Sequence, residues 1–337
     1  MSQNSILQVK KVSKKYDTDA ILDRLSFEVR KGEFLAIVGE SGTGKSSLLR
    51  IMSGYLDADS GEVVFKGETL EGPANRLVPG YEDIQLVHQQ FDLHPYLSAE
   101  ENIRRPLLSF TKEYQYEKLK ELLKLSGLDE KRDKKPHELS GGQQQKLAIS
   151  TALAVEPAVL LMDEPFSNLD PFSKQVFLGQ IKEKTQQLGT TVVFVTHDTR
   201  DALAIADRII VLSEGKIAQE GSAGEVYNNP MTESIARFFG PINVFEPEAS
   251  GDFLGADQLR SKVGVRPEHV KLMTEGDGVH GVVAGYHFNG PTTYVRVQVP
   301  GKVDLIEVLS VGPIPKTGTR VSLGFDEKHI KYFPNAL

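Results

Sequence analysis

One short stretch carries chemistry before any fold is known. Gly39-Glu40-Ser41-Gly42-Thr43-Gly44-Lys45-Ser46-Ser47 fills the spacing G-x-x-x-x-G-K-[ST] completely. Glycines at 39, 42 and 44 let the backbone curl so that successive N–H groups point at phosphate oxygens. A helix opening there adds its positive dipole end, and Lys45 reaches the β- and γ-phosphates. Ser46 offers a hydroxyl to Mg²⁺, which takes oxygen ligands in near-octahedral array. A flexible glycine turn would explain the glycines alone. With Gly at about 7% of residues, however, the fixed positions coincide by chance in roughly one chain of this length in a hundred. Ser47 stands where the dinucleotide fingerprint needs its third glycine, which weakens that competitor. The stretch predicts a nucleoside-triphosphate site.

More chemistry lies farther along. Ala158-Val159-Leu160-Leu161-Met162 is an apolar run that ends in Asp163-Glu164. Carboxylates at the end of a buried strand are costly unless paired or bound to metal. Asp163 fits a Mg²⁺ partner, and Glu164 a general base or a residue that polarises an attacking water. A second apolar run, residues 191–195, ends at Thr196-His197-Asp198. A lone histidine after a strand is usually a structural hydrogen-bonder, but this one falls where parallel α/β sheets place their ligands. Leu139-Ser140-Gly141-Gly142-Gln143 sets two glycines at the start of a helix read over residues 144–154, another N–H cluster suited to an anion. Tyr16, in a polar turn at residues 14–17, is an aromatic face able to stack on adenine.

These residues need elements to hold them. Residues 6–38 alternate apolar and polar and predict strands of a half-exposed antiparallel sheet, leading into the run before the phosphate loop. A strand at 84–90 ends in a glutamine-bearing loop, and Ser98 with Glu101 forms a capping box. Residues 113–126 place Tyr116, Leu119, Leu122 and Leu123 on one stripe of an amphipathic helix. That insert breaks the βαβ rhythm and predicts a separate helical lobe. After Ser167-Asn168-Leu169-Asp170 comes a helix with the stripe Phe177, Ile181, Thr185 and Leu188. A helical tail at 235–239 closes the first domain. From Pro241 short alternating strands at 282–284, 294–299 and 303–308 predict a small β-barrel. There a faint repeat appears: Gly264, His269 and Lys271 recur in register as Gly324, His329 and Lys331. The two histidines have no metal-ligand spacing and read as structural.

At 337 residues and about 150 per domain, two domains are expected. The net charge of −7 argues against nucleic acid or an anionic bilayer as a general partner. Absence of cysteine excludes disulfides and thiolate metal sites and fits a reducing compartment. The polar residues 1–5 lack a signal-peptide core, and no apolar run approaches the ~20 residues needed to cross a bilayer. A soluble chain is expected, with any membrane role coming through a partner.

Together, over residues 6–240, these motifs resemble those of an ATP-binding-cassette ATPase, all in the family's order. The resemblance implies that Tyr16 stacks on adenine and that Gly39, Glu40, Ser41, Gly42, Thr43, Gly44, Lys45, Ser46 and Ser47 bind the phosphates. It assigns Mg²⁺ to Ser46, Gln89 and Asp163, and catalysis to Glu164, His197 and Gln89. Gln89 is preferred to Gln90 because the family spacing to Leu93-x-Pro95 is met from it. Ser140, Gly141, Gly142 and Gln143 match the family signature, and Asp170 the end of the D-loop. The implied fold is an α/β phosphate-loop NTPase core with an antiparallel β-subdomain and a helical subdomain near residues 90–155. Residues 241–337 then form a small all-β, OB-like domain. Its Gly264-Val265-Arg266-Pro267-Glu268-His269 resembles the regulatory β-domain of maltose-, polyamine-, sulfate- and iron-type importer ATPases.

The implied activity is ATP hydrolysis that powers solute import through closure of a head-to-tail homodimer. The implied partners are transmembrane permease subunits and, through them, a solute-binding protein, with the chain cytoplasmic on the inner membrane face and no nucleic acid bound. The alternative is a soluble non-transport ATPase acting on nucleic acid or ribosomes; such proteins usually fuse two cassettes or insert coiled coils, and this chain has neither. Two positions depart from the importer pattern. Lys146 and Thr151 stand where arginines are usual, and lysine keeps the charge but not the bidentate fork.

Overall fold

The alternating pattern at the start of the chain folds as a long hairpin, β1 (Ser5–Tyr16) and β2 (Asp19–Arg30), with Leu7, Val9, Val12, Leu22, Leu25 and Val29 turned inward. Tyr16 is the last residue of β1, paired with Asp19, so the turn is Asp17-Thr18 and not the longer one expected. The computed structural model describes residues 4–246, 261–274, 276, 278–300 and 304–333. Its contacts divide the chain into two units, Met1–Ala223 and Gly224–Leu337. Residues 1–3, Val303 and most of the segment between the first domain's tail and Val263 lie outside the described residues.

In the first unit the hairpin is followed by β3 (Phe34–Val38), α1 (Lys45–Met52), β4 (Ser60–Phe65), β5 (Glu68–Thr69) and β6 (Ile84–Val87). Three helices come next, α2 (Ala99–Arg104), α3 (Lys112–Ser126) and α4 (Gly141–Leu153), packed on one another as the expected lobe. The chain returns through β7 (Val159–Asp163), α5 (Pro171–Leu188), β8 (Thr191–Thr196), α6 (Thr199–Ile205), β9 (Arg208–Ser213) and β10 (Lys216–Gly221). One sheet runs β2-β1-β4-β5 and the other β10-β9-β3-β8-β7-β6. In the second, β3, β7 and β8 are buried at every position, as parallel strands covered on both faces require. Parallel pairing sets Val38 against Thr196 and Asp163 against Val195, so the carboxyl ends of three strands lie level.

The Ser98–Glu101 capping box forms as expected, with Glu101 accepting the Ser98 N–H at 2.7 Å. On α3, Leu119, Leu122 and Leu123 are buried, but Tyr116 is 68% exposed and off the stripe. Lys118 turns inward instead, because Glu156 from outside the helix meets its Nζ at 2.6 Å and neutralises it. The signature helix starts earlier than read, at Gly141, because Ser140 caps it.

The second unit opens with α7 (Ala223–Asn228) and α8 (Glu233–Phe238), then β11 (Asn243–Phe245), β12 (Lys262–Val265) and β13 (Val270–Met273). It continues with β14 (Val279–Asn289), β15 (Thr292–Gln298), β16 (Ile306–Ser310), β17 (Arg320–Phe325) and β18 (Lys331–Phe333). The described strands pair as two antiparallel sheets, β11-β12-β18 and β13-β17-β14-β15-β16. Buried Arg266 explains why α8, read as the tail of the first domain, groups with this unit. Its guanidinium donates to the carbonyls of Tyr227 (3.0 Å), Ala236 (3.3 Å) and Pro241 (3.2 Å).

The faint repeat is a physical exchange. Strands β12 and β13 of one copy do not pair together; β12 pairs with β18 and β13 with β17. Gly264 faces Lys331 and Lys271 faces Gly324, the reciprocal register of a local two-fold relation. A Cβ on Gly264 would meet the Phe333 ring at 2.5 Å, so that strand crossing needs glycine. Short 3₁₀ turns, Pro267–His269 and Glu327–His329, carry each copy from one sheet to the other. Their histidines stack face to face, with centroids 3.6 Å apart. Among the described residues no group of three or more His, Cys, Asp or Glu side chains could hold a metal, the two histidines included.

Burial pushes the His269 imidazole below its ordinary 6.5, with His329 and Arg266 acting in the same direction and Glu268 and Asp326 opposing. The folded state therefore prefers neutral His269, and stability present above pH 6.5 is lost as pH falls below it. Imidazole NMR titration of the full chain should find His269 titrating below the free histidine value. His329→Ala should move it back up by uncovering the ring; no movement would mean that the stack does not bury His269.

Candidate functional site

The phosphate loop leaves the end of β3 and enters α1 through Gly44, which has φ 84° and supplies no side-chain cap. Ser98, Thr111, Ser140, Asp170, Asp198 and Thr232 each cap their own helix by accepting a backbone N–H. The first N–H groups of α1 are thus left as donors for an anion. Glycine is obligatory here for space as well as conformation. A Cβ at 44 would lie 2.7 Å from the Ile21 carbonyl oxygen, and one at 39 would lie 2.4 Å from that of Leu212.

Lys45 is buried under the loop, and its Nζ donates to the carbonyls of Gly39 (2.8 Å) and Glu40 (2.6 Å) and to Thr43 Oγ1 (3.3 Å). Burial pushes its ammonium below the ordinary lysine value, while Glu164 and Asp163 pull it back up. Glu40 and Ser41 form the exposed crest. Tyr16, at the tip of its hairpin, brings its hydroxyl to 3.4 Å from Ser47 Oγ, so an open aromatic face stands at the lip of the loop.

The acids close the other side. Burial raises the Asp163 carboxyl and Glu164 adds to this; a hydrogen bond from Ser46 and the charges of His88 and Lys45 oppose them. Asp163 Oδ1 is buried with no hydrogen-bond partner. An orphaned carboxylate oxygen beside a serine hydroxyl matches the all-oxygen preference of Mg²⁺. Glu164 sits at φ 50°, a left-handed conformation that costs a non-glycine residue on the order of 1 kcal/mol. Its Oε1 lies 2.8 Å from His197 Nδ1, and Thr196 Oγ1 donates to Oε2 at 3.4 Å.

Lys45, Ser46, Asp163, Glu164 and His197 are therefore one cluster. Gln89 is exposed just beyond Val87, which pairs with Met162; the following Phe91 and Asp92 both have positive φ, 67° and 27°. Of the signature residues, Gly141 and Gly142 lie against the D-loop instead, while Ser140 and Gln143 cap their own helix. A Cβ on Gly142 would meet Asn168 O at 2.8 Å. Among the described residues no hydrogen bond joins them to residues 39–47. Asp170 accepts the Ser173 N–H at 3.0 Å as the cap of α5, and that bond holds its carboxyl below the usual range.

Sequence reasoning missed three positions. Thr196 touches the Glu164 carboxylate, and Lys174 clamps Asp198 (3.3 Å) and Asp201 (3.0 Å) behind His197. Gln145 is buried on the stripe it shares with Ala148, Ile149 and Ala152. A polar residue on that helical stripe was the available signal.

The family described as ABC transporter matches residues 22–167, and TOBE domain matches residues 263–333. The chain is 33% identical over 345 residues to the spermidine/putrescine import ATP-binding protein PotA of Oleidesulfovibrio alaskensis, covering 90% of each chain. It is 30% identical to the Fe(3+) ions import ATP-binding protein FbpC of Fusobacterium nucleatum subsp. nucleatum, covering 97% of this chain and 93% of that one. Among solved structures, the dimeric post-hydrolysis state of the ATP-binding cassette MJ0796 bound to ADP and Pi aligns with TM-score 0.58 and 32% identity. That alignment covers 65% of this chain and 99% of the other.

Asp163 is raised by burial, so its charged form destabilises the folded protein at neutral pH. Asp163→Asn should therefore raise the Tm of the ligand-free protein by about 2 °C or more. It should also shrink the further stabilisation given by Mg²⁺ with ATP. Differential scanning calorimetry decides both; a lower Tm with an undiminished Mg²⁺ effect would contradict the reading of Asp163.

Proposed function

The chain is an ATPase of the ABC transporter family, and on that footing we propose how its residues divide the work of an importer's energy-coupling subunit. The reaction is ATP + H₂O → ADP + phosphate. The observation that carries the assignment is the Glu164–His197 contact at 2.8 Å beside buried Lys45 and Asp163. Residues 39–47 and the open start of α1 hold the phosphates, and Tyr16 stacks on the adenine. Lys45 stabilises charge on the β- and γ-phosphates. Ser46, Gln89 and Asp163 would hold Mg²⁺, whose contribution when bound is to neutralise the phosphate oxygens. Glu164 orients the attacking water and accepts its proton, while His197 fixes the carboxylate and faces the γ-phosphate.

The signature packs on its own D-loop and leaves its N-terminal face to a second copy of the chain, which supports trans capping of ATP in a head-to-tail dimer. Hydrolysis opens that pair, and the helical lobe passes the motion to transmembrane permease subunits served by a solute-binding protein. Among the described residues no helix is long and apolar enough to cross a membrane, in keeping with attachment through permeases at the inner face. The ATPase reading belongs to residues 1–240 and the regulatory reading to the β-strands after 241, with α8 tied to the latter by Arg266. The curated relatives are import subunits for chemically unlike solutes, a polyamine and ferric iron, so the solute is chosen by partner chains. Nothing favours the nucleic-acid alternative.

Glu164→Gln should leave ATP affinity intact and lower turnover at least ~10²-fold, the scale of lost acid–base assistance. With Mg²⁺–ATP the variant should sediment as a dimer and return to monomer when ATP is removed. Hydrolysis at the wild-type rate would refute the role of Glu164. Persistent monomer at tens of micromolar would refute trans capping.

A further inference from the structure

The run Gln143-Gln144-Gln145, just inside the start of α4, has three identical side chains that do different things. Gln143 Oε1 accepts the Ser140 N–H at 3.1 Å, and Gln144 Nε2 donates to Leu139 O at 3.0 Å, so both serve their own helix end. Gln145 turns inward and is 1% exposed. Its Nε2 donates to the carbonyl of Glu164 at 2.9 Å, and its Oε1 accepts the N–H of Asn168 at 3.2 Å. One buried carboxamide thus spans the loop from catalytic acid to D-loop.

We propose that Gln145 is a positioning residue for ATP hydrolysis, bracing the left-handed peptide at Glu164 so that its carboxylate stands at the attacking water. The inference rests on the reading of Glu164 as the base. A non-glycine residue stays at φ 50° only where its surroundings over-determine it. The Glu164 N–H is held by Val195 O at 3.0 Å. Its carbonyl accepts from Ser167 Oγ (3.1 Å) and Ser167 N (3.4 Å) within the same loop, so Gln145 is its tie to another element. Loss of the brace frees the peptide to relax, and a displacement of about 1 Å at a reacting group costs about 10²-fold in rate. Loss of an apolar filler in the same place would not single out turnover. The same helix lies close against the loop at Gly142 as well, where an added Cβ would stand 2.8 Å from Asn168 O.

The test compares Gln145→Met, Gln145→Glu and Glu164→Gln in the full chain. It measures Mg²⁺–ATP turnover against pH and binding of a fluorescent ATP analogue. Gln145→Met keeps the volume and loses both bonds; turnover should fall about 10- to 10²-fold with nucleotide affinity within about two-fold of wild type. In Gln145→Glu the neutral acid can donate to Glu164 O and accept from Asn168 N–H, whereas the ionised acid can only accept. Burial favours the neutral acid. Turnover of this variant should be retained at low pH and lost on the alkaline side, a limb absent from wild type. The brace is overturned by a Gln145→Met protein of wild-type turnover, by equal losses of turnover and affinity, or by a Gln145→Glu profile parallel to wild type. If Gln145→Met does not fold, the pH profile of Gln145→Glu decides. Should Glu164→Gln itself hydrolyse at the wild-type rate, the base assignment fails and the brace with it. An inert Glu164→Gln beside a fully active Gln145→Met refutes the brace alone.

Discussion

The site depends on the register of three apolar strands that cannot set their own register. β3, β7 and β8 are buried throughout, so a slip along the sheet would exchange one apolar side chain for another. It would also displace the reactive ends by about 3.3 Å per residue. Polar contacts at the opposite edge fix the alignment. Arg208, at the start of β9, makes a buried ion pair at 2.7 Å with Glu33, the residue before β3. The Gly32 N–H donates to Thr191 Oγ1 at 2.9 Å across β3 and β8, and Thr190 Oγ1 donates to Pro157 O at 2.8 Å across β8 and β7. The desolvation cost of a buried ion pair offsets much of its attraction, so its contribution here is alignment. These bonds at one end of the sheet align Lys45, Glu164 and His197 at the other.

The site itself runs against stability. Glu164 is held in a left-handed conformation and Asp163 keeps an unpartnered buried oxygen, two features a sequence chosen for stability alone would lose. Both sit where, on the proposed function, charge is presented to a phosphate. The stable sheet behind them is what makes that arrangement tolerable.

Much of this was legible in the sequence because it is local. The phosphate loop, the acids after β7 and the histidine after β8 are short spacings tied to strand ends, and the Ser98–Glu101 box is a four-residue motif. What escaped was set by partners distant in sequence. Lys118 displaces Tyr116 from the buried stripe because Glu156 waits for it, and Gln145 faces inward because two backbone groups of the catalytic loop receive it. α8 joins the second unit because Arg266 binds its Ala236 carbonyl together with those of Tyr227 and Pro241 on either side. The repeat was visible as spacing, but its strand exchange and the His269–His329 stack are long-range pairings that periodicity does not encode.

That exchange bears on the order in which the chain can be made. Neither half of the repeat pairs with itself, so β13 leaves the ribosome with its partner β17 still unsynthesised, and β12 with only β11 beside it and β18 still to come. Every strand of the nucleotide-binding unit has been translated by then, and N-terminal domains generally fold first. The second unit must wait for β17 and β18 to reach back across the intervening strands β14, β15 and β16. The entropy of closing that loop grows only logarithmically with its length, so inserting residues between the copies costs little. Losing the short final strand costs far more, because β12 is then left with one edge open to another chain.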